Sequence, residues 1–174
     1  MRVHKGFLLM DASVLIDLCV ADPTLVKLVS DHIGRVHVPT PVLLEEVEQV
    51  RREDWSALGI VPVEPSLETA ALAAKRRPGL SFHDLLCLFL ARDNGWTCVT
   101  NDARLRRECA AERVPVLWGL ELIALLVEGE VLDVAAAAAL GSAIRRANPA
   151  FITEGLLARF LERIRRPPRR MRKK

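Results

Sequence analysis

The sequence predicts an α/β protein: a three-layer α/β/α sandwich with a central parallel sheet and a C-terminal helical extension. Three observations predict it. Short apolar runs with strand character recur at Phe7–Met10, Val36–Val38, Ile60–Val63, Trp96–Thr100 and Val114–Leu117. The stretches between them carry apolar residues at helical spacing, and from Leu120 onward the pattern is purely helical. Strands separated by helices of this length pair in parallel through right-handed crossovers.

Phe7-Leu8-Leu9-Met10 is long enough for a buried strand, and Asp11-Ala12-Ser13 turns from it into helical positions from Val14 to Val20. Asp22-Pro23 ends that helix, and Thr24 to Val29 form a second, short one, stopped at Gly34. After Val36-His37-Val38, Thr40 as N-cap and Pro41 at the first helical position start a helix that runs to Val50. Pro62 makes Ile60–Val63 an edge strand, because proline cannot donate to a ladder on both sides. Leu67 to Lys75 form a helix broken by Arg76-Arg77-Pro78-Gly79.

Leu80 to Arg92 are apolar around most of the helical circumference, which predicts a helix packed in the centre of the domain. Ser81 and Asp84 have the spacing of a capping box, and His83 beside them is expected to face solvent. Trp96–Thr100 is the fourth strand, ending in Asn101-Asp102, and Val114–Leu117 is the fifth. Three helices follow: Leu120–Val127, the alanine-rich Val131–Arg146, and Thr153–Arg165 with Thr153 as its cap. The expected division is a sheet-bearing domain over 1–120, a helical extension packed on it over 121–165, and a basic tail over 166–174.

A chain of 174 residues, 51% hydrophobic, can bury a core of its own. Its apolar run near the start breaks at Asp11, too short for a signal peptide, and the uncharged stretch Val134–Ile144 is shorter than the roughly 20 residues of a membrane span. A cytoplasmic protein is the expectation. Cys19, Cys87, Cys98 and Cys109 lie far apart in apolar surroundings, which excludes a zinc knuckle or a redox pair and leaves them as small core residues. Residues 163–174 hold eight basic side chains and no acid, whereas residues 1–162 carry 17 basic against 22 acidic groups. The tail reads either as a phosphate-binding arm or as a solubilising end.

Acids stand where an open α/β sheet places its chemistry, at the carboxyl ends of the strands. Asp11 follows the first strand, Glu45 or Glu46 lies on the helix after the second, Asp84 on the central helix, and Asp102 after the fourth strand. Each has a plain alternative as a helix cap or a first-turn acid. Gathered together they would repel, so a cation must sit among them. Oxygen ligands without His or Cys suit Mg²⁺ or Mn²⁺, the usual ions for phosphate-ester substrates.

The motifs MDASVLID, VHVPTPVLLEEVEQV, LSFHDLLCLFLAR and CVTNDARLRREC, in this order, resemble the PIN domain of metal-dependent ribonucleases, above all the VapC-type toxins of toxin–antitoxin pairs. The resemblance covers residues 6–120. It implies a sheet between helices, four acids holding Mg²⁺ or Mn²⁺, hydrolysis of single-stranded RNA, a homodimer and a cognate antitoxin. Carried onto this chain, the four acids, catalytic and metal-binding, are Asp11, Glu45, Asp84 and Asp102, with Ser13, Thr100 and Asn101 in support. For the second acid, the distance from Val38 favours Glu45, whereas Val47 after it favours Glu46. Leu85 follows Asp84 where a small residue is usual, and Asn101 stands where some relatives carry a further acid.

Two other functions compete. A phosphohydrolase with Asp11 as nucleophile needs a second Asp at the position of Ser13, and a catalytically silent RNA-binding or antitoxin-sequestered protein would not need all four acids. No glycine-rich phosphate loop is present.

Overall fold

Five short strands make one sheet in the computed structural model, which describes residues 6–75 and 77–166. They are β1 (Gly6–Met10), β2 (Gly34–Pro39), β3 (Ile60–Val63), β4 (Thr97–Val99) and β5 (Val116–Leu117). The spatial order is β3-β2-β1-β4-β5, and every neighbouring pair is parallel. The chain therefore winds outward from β1 to β3, returns, and winds outward again through β4 to β5. Its direction of winding reverses between β1 and β4. In a doubly wound sheet the loops leaving the two strands at that reversal part and open a crevice at their carboxyl ends. Asp11 leaves β1 and Thr100-Asn101-Asp102 leaves β4, so the sequence delivers acids to both lips of the crevice.

Helices cover both faces. On one lie α1 (Ala12–Ala21), α2 (Thr24–His32) and α7 (Gly119–Glu128), which contact one another. On the other, α5 (Phe82–Asn94) crosses β1, β2 and β4 between α4 (Leu67–Ala74) and α6 (Ala103–Ala111). Leu85, Leu86, Leu88 and Phe89 of α5 are almost wholly buried, each contributing about 1.5–3 kcal/mol of apolar transfer. Ser81 and Asp84 form a full capping box, and Gly95 ends the helix in the left-handed conformation (φ 67°) that glycine adopts without strain. The start of α5 is thereby pinned beside the crevice. The last helices, α8 (Val134–Ala147) and α9 (Glu154–Arg165), pack on α1 and α7.

Two local expectations are corrected. The helix after β2, α3, spans only Thr40–Glu45, with Pro39 rather than Thr40 in the capping position. Good helix formers continue to Val50, yet the chain leaves the helix at Glu46 and buries Val47 and Val50 in the core. Tertiary burial overrides local propensity here. Pro62 does lie on an edge strand, and all four cysteines are free and buried. No helix among the described residues is long and apolar enough to cross a membrane. Of the basic tail assigned to 166–174, all but Arg166 lies outside the described residues.

Candidate functional site

Asp11 is the N-cap of α1, and the cap is part of how it is held. Its Oδ1 accepts from the Val14 N–H at 3.0 Å and from the Ser13 hydroxyl at 2.9 Å. Its Oδ2 accepts from the Thr100 hydroxyl. The carboxyl is 5% exposed, and burial pushes its pKa up to about 6 despite the Thr100, Val14 and Ser13 hydrogen bonds, with the Asp84 carboxylate adding to the rise.

Thr100 also accepts from the Asp102 N–H at 3.0 Å, so one buried hydroxyl ties the acid after β1 to the turn after β4. Asp102 caps α6, its Oδ1 accepting from the N–H groups of Arg104 (2.6 Å) and Leu105 (2.9 Å). Asp84 accepts from the Ser81 N–H at 2.7 Å through Oδ2. In each case a local helix-start signal aims a carboxylate at the crevice, so capping and site placement coincide.

A cavity of about 370 Å³ opens there, with walls that include Asp11, Ser13, Glu46, Asp84, Asp102 and Phe151. Glu46 belongs to the cavity and Glu45 does not. Glu45, the last residue of α3, is 63% exposed against 35% for Glu46. His83 sits between: Nε2 lies 3.0 Å from Glu45 Oε2 and Nδ1 3.1 Å from Glu46 Oε1. Its side chain is 15% exposed, so the expectation that it faces solvent is corrected. Burial raises the Glu46 pKa, with His83 pulling it down and Asp84 pushing it up.

Asn101 is not brought to the cavity. Its Nδ2 donates to Asp17 at 3.0 Å and its Oδ1 accepts from the Gly119 N–H at 3.1 Å, so both ends of the amide are committed to the packing of α1 and α7. Leu85 points into the core, where it takes no room from the site. Sequence reasoning missed Phe151, for which the sequence holds no signal beyond an aromatic in a turn. It also missed Asp17, whose helical spacing alone suggested nothing.

Among the described residues no three acid, His or Cys side chains already converge on one point, since each carboxylate leans toward its own partner. The donor set nevertheless suits a hard cation: four carboxylates line the cavity, the His83 nitrogens there are taken up by Glu45 and Glu46, and burial pushes the Cys87 thiol pKa up, away from the thiolate a soft metal needs. Mg²⁺ in particular is held by one or two carboxylates and keeps several waters, which asks less convergence of the side chains.

Fold and cavity together define a three-layer α/β/α protein with an acid cleft at the switch point of a parallel sheet. The chain belongs to the PIN domain family, whose model matches residues 8–110, from β1 to the last turn of α6. PIN domains are in general nucleases that bind RNA and use divalent metal ions. No curated protein and no solved structure matches the chain.

Proposed function

We propose that this protein is a Mg²⁺- or Mn²⁺-dependent endoribonuclease that cleaves single-stranded RNA, with Asp11, Glu46, Asp84 and Asp102 as the acids of its site. The observation that carries the reading is the buried Asp11 carboxyl, which shares one cavity with Asp84 and has its pKa raised by burial, the Asp84 carboxylate adding to the rise. Glu46 takes the place first given to Glu45, because it is the one that lines the cavity.

A bound divalent ion would activate a water and stabilise the leaving oxygen of an in-line displacement. Asp11 and Asp84 would be its principal holders. Ser13 and Thr100 hold the two oxygens of Asp11 in one orientation. Asp102, locked on the end of α6, sets the width of the cleft, and His83 keeps Glu46 turned toward it. A phosphohydrolase with Asp11 as covalent nucleophile is disfavoured, since the carboxyl is buried and both oxygens are engaged.

The finer reading, a VapC-type toxin acting in the cytoplasm as a homodimer with a cognate antitoxin, rests on sequence resemblance. So does the division into a PIN domain over 1–120, an extension over 121–165 and a tail. Two experiments test these levels separately. Purified protein should cut single-stranded RNA with Mg²⁺ or Mn²⁺ and spare it in EDTA; cutting undiminished in EDTA overturns the proposal. Expression of the wild type, and not of Asp84→Asn, should arrest growth if the toxin reading holds.

A further inference from the structure

One wall of the acid cleft is an aromatic ring. Phe151, in the turn between α8 and α9, lines the cleft with Asp11, Glu46, Asp84 and Asp102, and remains 42% exposed. Its neighbour Ile152 is buried and lines a second cavity, of about 240 Å³, with Trp118, Leu156 and Arg159. Asn101 and Asp102 divide in the same way, Asp102 facing the cleft and Asn101 the second cavity. The two hollows therefore share a wall built from two pairs of consecutive residues.

Beyond that wall the second cavity is mostly apolar, with Trp118 and Phe160 as its aromatic rings, Arg159, and an Arg163 paired with Glu121. The Arg106 guanidinium lies over the Trp118 indole, 3.5 Å from its centroid, and donates to the Asn101 carbonyl at 2.7 Å. Arg159 is exposed and makes no ion pair among the described residues. Single-stranded nucleic acids are held by this combination, bases on aromatic faces and phosphates near cations. A base paired within a duplex cannot present its face to a ring in a cleft wall.

We propose that Phe151 is a base-stacking residue of the nucleic-acid site: an unpaired nucleobase beside the scissile phosphate lies on its ring, and the strand continues over the shared wall toward Trp118 and Arg159. The inference rests on the nuclease reading of the same cleft and gives the helical extension a part in recognition. Stacking on Phe supplies no base-edge hydrogen bond, so the subsite selects unpaired over paired nucleotides rather than one base over another.

The test measures binding of a labelled single-stranded RNA by fluorescence anisotropy in EDTA, together with cleavage kinetics in Mn²⁺. Phe151→Ala should raise Kd and KM by roughly ten-fold, the loss of one base–aromatic stack, and Phe151→Trp should restore both. Arg159→Glu should weaken binding and flatten its salt dependence. An RNA with one abasic position beside the cut should bind the wild type as weakly as Phe151→Ala binds the intact RNA, with no further loss when the two changes are combined. Phe151→Ala that binds and cuts as the wild type does overturns the inference and leaves the nuclease reading standing. RNA that binds through Phe151 and is cut under no divalent ion supports the inference and overturns that reading. Loss of a co-expressed protein partner from Phe151→Ala, with RNA affinity intact, makes Phe151 a protein-docking residue and overturns the stacking role.

Discussion

Asn148, the residue that ends α8, donates its side-chain amide to the Asp17 carboxylate of α1 at 3.0 Å, joining the helical extension to the sheet domain across 131 positions of chain. Asp17 is 5% exposed and its other amide partner is Asn101. Asn148→Ala leaves a buried carboxylate with half its partners, and should cost about 1–3 kcal/mol in urea unfolding.

The same carboxylate makes stability depend on pH. Burial raises the Asp17 pKa in the folded state more than the Asn148 and Asn101 amides lower it. The folded state thus holds this proton to higher pH than the unfolded chain does. Stability owed to Asp17 is greatest below the unfolded carboxyl value of about 3.9 and falls as pH rises through the folded value. Unfolding free energy of the wild type minus that of Asp17→Asn should decrease with rising pH across this window; a pH-independent difference would contradict the assignment.

Gly141 packs α8 against α9 so closely that a Cβ there would lie 2.4 Å from Phe160 Cε1. Gly141→Ala should destabilise the protein by about 1–3 kcal/mol, as overpacking does. Phe160→Leu in the same chain should recover part of the loss in thermal unfolding.

Thr100→Val keeps the shape and removes the hydroxyl that joins Asp11 to the Asp102 turn. By the usual effect of removing a group that orients a metal ligand, Mn²⁺ affinity measured by calorimetry should fall roughly 10–100-fold. Glu46→Gln should likewise lower cleavage, whereas Glu45→Gln should stay close to the wild type, since Glu45 lies outside the cavity.

The sheet was legible because each strand is a short apolar run and each crossover is a helix, which leaves few parallel topologies. Pro62 even placed the edge. The position of Asp11 was legible for a related reason: a carboxylate between a buried strand and a helix is both a cap and a switch-point residue. What the sequence left open lay where tertiary packing decides. Nothing in Glu45-Glu46-Val47 announces that α3 stops there, so which of the two acids lines the cavity emerges only from the fold. Asn101 was placed in support of the site by the family resemblance, but its partners, Asp17 and Gly119, lie 84 and 18 positions away.

The most direct measurement compares wild type and Asp11→Asn, side by side with Mn²⁺, on a labelled single-stranded RNA. Asn keeps the size of Asp11 and removes its charge, so the variant should fold and leave the RNA intact while the wild type cuts it. Equal cutting by both would mean that the buried carboxyl at the head of α1 has no part in hydrolysis.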